Sequence, residues 1–167
     1  MIPNATNLCR TSLPSLAPLP GADRALKPPG NPYSPWQEAD ELGLSIRYAP
    51  LTDTYSWWVP SHRLILVADR LTSAQERCAL AHEVQHAVNA DTECRPGLPA
   101  SATWARRQEI RADVAAARKL IHAVDLEDTL RWATSREEAA SELDVTVYML
   151  NVRLHLRERE QQFRPSF

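Results

Sequence analysis

Ser73-Ala74-Gln75-Glu76-Arg77-Cys78-Ala79-Leu80-Ala81-His82-Glu83-Val84-Gln85-His86-Ala87-Val88-Asn89 is the stretch on which the reading of this chain turns. Ser followed three residues later by Glu is a capping-box pattern, and Leu80, Val84, Ala87 and Val88 recur at helical spacing, so a helix is predicted from about Ser73 to Asn89. Leu80, Val84 and Val88 supply its core side and leave His82 and His86 on the roughly opposite face. Residues four apart share a helical face, so both imidazoles can reach one tetrahedral Zn²⁺, while Glu83, one step round, can deprotonate a water there. Zinc brings the pKa of such a water to roughly 7, which is the chemistry of peptide hydrolysis at neutral pH.

A catalytic zinc needs a third protein ligand. The longer motif that ends in a third histidine is excluded, because Asn89 and Thr92 stand where Gly and His would be required. Glu109 in the next predicted helix is the preferred ligand, with Asp91 and Glu93 as rivals in the loop. Glu109, Ala112, Asp113, Ala116 and Leu120 share one face, and the small alanines allow close approach to the zinc helix. Asp113, one turn after Glu109, is placed to accept a hydrogen bond from a ligand histidine's other ring nitrogen.

Upstream, Leu44–Tyr48, Thr54–Val59 and His62–Ala68 read as three strands, and a small antiparallel sheet is expected, with the third strand offering its edge to an extended substrate. Gln37–Leu42 is a short helix stopped by Gly43. Eight of the thirteen prolines lie in the first 35 residues, which are read as an extended arm or linker. Downstream, a loop carrying Pro96, Gly97 and Pro99 leads to an alanine-rich helix of about Thr103 to Ala123. Leu126–Ala133, Arg136–Leu143 and Val147–Gln161 read as further helices. Ala140 to Thr146 resembles the turn of a helix-turn-helix, with Asp144 where Gly is usual. The following helix carries Arg153, Arg157 and Arg159 against Glu158 and Glu160, a weak footprint for DNA, so direct nucleic-acid binding is not expected.

The 167 residues suit one core, and no apolar run approaches the roughly 20 residues that span a bilayer. A net charge of −2 gives no overall reason to bind nucleic acid. Cys9, Cys78 and Cys94 form neither a disulfide scaffold nor a four-cysteine metal site, and a cytoplasmic protein is expected. Cys78 reads as a small buried thiol, and Cys9 as a remote candidate for capping the metal. Tyr55, Arg107 and His122 are donors by type for a developing oxyanion, with none assigned.

Ala81-His82-Glu83-Val84-Gln85-His86-Ala87, followed by Glu109-Ile110-Arg111-Ala112-Asp113 and an alanine-rich helix, resembles the ImmA/IrrE family of zinc-dependent endopeptidases, especially short versions from actinobacteriophages. The resemblance covers roughly residues 44–154. It implies His82, His86 and Glu109 as metal ligands, Glu83 as general base, and an antirepressor activity in which a helix-turn-helix repressor protein is cleaved to release a mobile element or stress regulon. Gln85 replaces a frequent glycine, and His122-Ala123-Val124 stands where many relatives have Leu-Met-Pro. No sensory module of the kind seen in longer relatives is expected.

The expected architecture is therefore α+β and gluzincin-like: a small antiparallel sheet on a zinc-binding helix pair, with a C-terminal helical subdomain. The expected division is an arm over 1–35, a metallopeptidase core over 36–125 and a helix-turn-helix-like unit over 126–167. The rival readings are a non-proteolytic antirepressor that binds its repressor, and a DNA-binding regulator using the C-terminal helices.

Overall fold

The computed structural model describes residues 33–91 and 99–162. It is an α+β fold with a three-stranded sheet and six α-helices among these residues. The proline-rich arm up to residue 32, with Cys9, and the loop residues Glu93, Cys94, Pro96 and Gly97 lie outside the described residues.

Helix α1 (Pro35–Glu41) begins at Ser34, whose hydroxyl accepts from the Gln37 N–H, with Pro35 at the first position where its missing N–H costs nothing. Gly43, at φ 64°, turns the chain into β1 (Ser45–Ala49). Strands β2 (Ser56–Val59) and β3 (Leu64–Ala68) form a hairpin closed by a 3₁₀ turn at Pro60–His62. The sheet is mixed, not antiparallel. Its order is β1-β3-β2, with β1 parallel to β3 (Ile46 opposite Ile65) and β2 antiparallel to it (Trp57 opposite Leu66). Side-chain alternation is identical in parallel and antiparallel strands, so it could not distinguish these pairings. β3 is also the central strand with both edges paired, so among the described residues the edge strands are β1 and β2.

One face of the sheet packs Ile65 and Val67 against Ala39 of α1 and Leu80 and Val84 of α2 (Ser73–Val88). Fully burying each large aliphatic contributes about 1.5–3 kcal/mol, which seats α2 on the sheet. The cap of α2 is Thr72 with Gln75, one residue earlier than the Ser73–Glu76 pairing expected: Thr72 accepts from the Gln75 N–H and Gln75 reaches back to the Thr72 N–H. Either pair satisfies the pattern, and packing selects the register. Val88 is exposed, whereas Glu83, Gln85 and His86 are buried, because α2 is covered on a second side as well.

That second side is made by α3 (Pro99–Leu120), α4 (Ala123–Leu130), α5 (Arg136–Glu142) and α6 (Val147–Gln162). α3 starts at Pro99, four residues earlier than expected, and stops at Leu120; His122 is the N-cap of α4. Ala81 and Cys78 of α2 share one buried cluster with Ala116, Ala117 and Leu120 of α3 and with Leu126, Val145, Met149 and Leu150. The alanines let α2 and α3 come close, as their spacing suggested. Cys78 is a core thiol whose sulfur accepts from the Thr146 N–H at 3.3 Å, and burial pushes its pKa up. Asp144 takes the left-handed conformation (φ 49°) at the α5–α6 turn, the position where Gly is usual.

Candidate metal centre

His82 and His86 sit one turn apart on α2, and their Nε2 atoms lie 2.9 Å from each other. Glu109 of α3 reaches both, with Oε2 at 3.2 Å from His82 Nε2 and Oε1 at 3.4 Å from His86 Nε2. One ligand atom from each of the three lies within 4.8 Å of the others, and this group can hold a metal ion. The opposite nitrogen of each ring faces a carboxylate: His82 Nδ1 lies 2.8 Å from Asp113 Oδ1, and His86 Nδ1 lies 3.0 Å from Asp91 Oδ2. A carboxylate at Nδ1 favours the Nδ1–H tautomer and so directs an Nε2 lone pair towards the common point. Two convergent lone pairs and a carboxylate repel one another unless a proton or a cation lies between them. The donor set therefore fits a divalent ion that accepts nitrogen and oxygen ligands.

Burial by itself would lower the His82 pKa, but the hydrogen bonds to Asp113 and Glu109 and the charge of Glu83 outweigh it, and the imidazole is pushed up to about 10. Glu109 is held below the usual carboxylate range by its bond to His82. Burial opposes the same effect at Asp113, where hydrogen bonds from His82 and Tyr148 prevail and keep the carboxyl low. Glu83 is buried beside the cluster, and Ser56 of β2 donates to its Oε1 at 2.8 Å.

Asp91 is a rival ligand by sequence, but its carboxylate stands at the far nitrogen of His86 instead. It is 4% exposed and also accepts from Gln108 Nε2 at 2.8 Å and from the Arg111 guanidinium, both on α3. The indole of Trp58 donates to its backbone carbonyl at 3.2 Å. A Schellman turn brings it there: the Ala90 N–H bonds to Ala87 O and the Asp91 N–H to His86 O, with Ala90 at φ 53°. Gly is the usual residue at that position, so the sequence signal that would have announced the turn is missing. Glu93, the other rival, lies outside the described residues. Among the oxyanion candidates, Tyr55 accepts from Gln75 near the start of α2, and His122 lies thirteen residues beyond Glu109, roughly 20 Å along the helical direction. The sequence reading missed Ser56, Gln108, Arg111 and Tyr148, which reach the centre only through packing.

The family model for the IrrE N-terminal-like domain, Peptidase_M78, matches residues 39–155. The chain belongs to this family. The IrrE-like match takes in all three strands, α2 to α5 and the first nine residues of α6. No curated protein matches the chain. The family is one of peptidases, and a metallopeptidase-like activity agrees with the His82, His86 and Glu109 group. No helix among the described residues is long and apolar enough to cross a membrane.

Proposed function

We propose that this protein is a zinc-dependent endopeptidase whose substrate is a helix-turn-helix repressor protein, acting in the cytoplasm as an antirepressor for a phage or mobile element. The observation that carries the catalytic part is the convergence of His82, His86 and Glu109 on one point beside the buried Glu83 in a chain of a peptidase family. His82, His86 and Glu109 would hold the ion, and Zn²⁺, when bound, supplies Lewis-acid polarisation of the scissile carbonyl and of water. Glu83 takes the proton from the attacking water and passes it to the leaving amine. Ser56 keeps the Glu83 carboxylate oriented by holding one oxygen. β2, which carries Ser56, is an edge strand among the described residues and would be the strand to pair with an extended substrate segment.

The repressor target follows from the family resemblance and is supported by charge. Two of the three α6 arginines that would have to meet DNA phosphates are engaged within the protein: Arg153 donates to Ile121 O at 3.0 Å, and Arg157 forms a two-point pair with Glu127. The C-terminal helices are then a support for the catalytic unit or a dock for the protein substrate. The test is direct. Zinc-loaded protein incubated with a helix-turn-helix repressor taken as candidate substrate should yield two fragments from one cut, and a chelator should abolish the cut. An intact repressor under both conditions refutes proteolysis.

The charge state of His82 adds a pH dependence. Its folded-state pKa of about 10 means that the ring carries a proton at neutral pH, which zinc must displace. Zinc uptake at pH 7 should release about one proton, and affinity should weaken about tenfold per pH unit on going from pH 8 to 6. Calorimetry in buffers of different ionisation enthalpy checks both, and a pH-independent affinity would contradict the assignment.

A further inference from the structure

Asp113 has two oxygens to place. Oδ1 lies 2.8 Å from His82 Nδ1, and Oδ2 accepts a hydrogen bond from the Tyr148 hydroxyl. Tyr148 comes from the first turn of α6, 35 residues along the chain from Asp113. The residue is 60% exposed, so it contributes little to the core, yet its hydroxyl is committed to a carboxylate beside the metal cluster.

The placement of that hydroxyl depends on how α6 is docked, and the docking is specific. The buried Arg77 of α2 donates to Leu143 O at 3.3 Å and to Asp144 O at 2.8 Å, capping the carbonyls at the end of α5. The Thr146 N–H reaches Cys78, and Arg153 donates to Ile121 O just after α3. Met149 and Leu150, the residues directly after Tyr148, are buried at 3% and 0% exposure. The start of α6 is thereby fastened to α2, and its second turn to the end of α3.

We propose that Tyr148 is a positioning residue for the metal centre and that the C-terminal helical unit is, through it, part of that centre. By occupying Oδ2, the phenol leaves Oδ1 as the acceptor for His82 Nδ1–H, and this keeps the His82 ring turned with Nε2 towards His86 and Glu109. The relay runs from α6 through Asp113 to His82, and no step in it needs a group outside this chain. The proposal rests on the metal-binding reading above but not on the identity of the substrate.

The test uses the full chain, wild type and Tyr148→Phe, which keeps the ring and removes only the hydroxyl. Zinc affinity is measured by competition with a chromophoric chelator, and Co²⁺ is used as a spectroscopic probe. Tyr148→Phe should bind zinc about tenfold more weakly, the lower end of what loss of a ligand's hydrogen-bonded support costs, and its Co²⁺ visible bands should shift. In an Asp113→Ala background the same change should have no further effect, a coupling that a merely structural role would not produce. Wild-type protein that binds both metals alongside a Tyr148→Phe variant with affinity within twofold and superimposable Co²⁺ bands overturns this proposal alone. Failure of the wild type to bind either metal overturns it together with the metal-binding reading.

Discussion

Glu83→Gln should retain zinc at wild-type stoichiometry and lose peptide hydrolysis by about 10³-fold. Gln has the shape of Glu and can still accept the Ser56 hydrogen bond at 2.8 Å, so the substitution leaves α2 and its packing intact. None of the three groups that converge at the candidate metal site is altered. What disappears is the capacity to take a proton, which an amide lacks at any accessible pH. Single-turnover cleavage of the proposed repressor substrate, measured beside metal content by elemental analysis, separates the two quantities. Zinc retained and cleavage unchanged would mean that another group activates water. Zinc retained and cleavage lost, with repression by the proposed substrate still relieved as well as by wild type, would make stoichiometric binding the function and leave hydrolysis incidental.

Asp91→Ala should weaken zinc binding by about 100-fold and destabilise the zinc-free protein by about 2–4 kcal/mol. The two effects share one cause. Asp91 is buried, and its carboxylate serves His86 Nδ1, Gln108 Nε2 and the Arg111 guanidinium at once, so it fastens the end of α2 to α3 while fixing a ring of the metal cluster. Truncation leaves the buried imidazole N–H and amide without their acceptor, which is where most of the stability loss arises; Arg111 is half exposed and contributes less. Chelator-competition titration reads the first effect, and denaturant unfolding in the presence of a chelator reads the second. A variant with zinc affinity within threefold of wild type would show that His86 holds its orientation without Asp91. The effect should exceed that of Tyr148→Phe, because Asp91 touches a ring directly whereas Tyr148 acts through Asp113.

The contrast between these residues explains how far the sequence could be read. His82, Glu83 and His86 lie within one turn of one helix, and Glu109 and Asp113 within one turn of another, so their relative positions follow from the 3.6-residue repeat alone. The small residues Ala112 and Ala116 on the same face as Glu109 and Asp113 were equally visible; both are buried, and Ala116 shares a core cluster with Cys78 and Ala81 of α2. Ser56, Asp91 and Tyr148 reach the centre from 27 residues before Glu83, from a turn lacking its usual glycine, and from a helix 35 residues beyond Asp113. No periodicity links such positions. The sheet was misread as antiparallel for a related reason: alternation specifies which side chains face the core, and strand order depends on how the β2–β3 hairpin packs beside β1.

By itself, the sequence determined the elements and the chemistry carried on each of them: a capped helix bearing two imidazoles and a carboxylate, a second helix with a carboxylate pair and a small-residue face, and a turn that Asp144 can take. These are local properties, governed by backbone geometry and side-chain spacing over a few residues. Only the tertiary structure decided which far nitrogen each outer carboxylate serves, which strand lies at the edge, and that the C-terminal helices reach back to the centre through Tyr148. Those outcomes depend on long-range packing of the shared core around Cys78, Ala116 and Leu150, where burial of apolar surface sets the helix positions and the polar contacts then select the register.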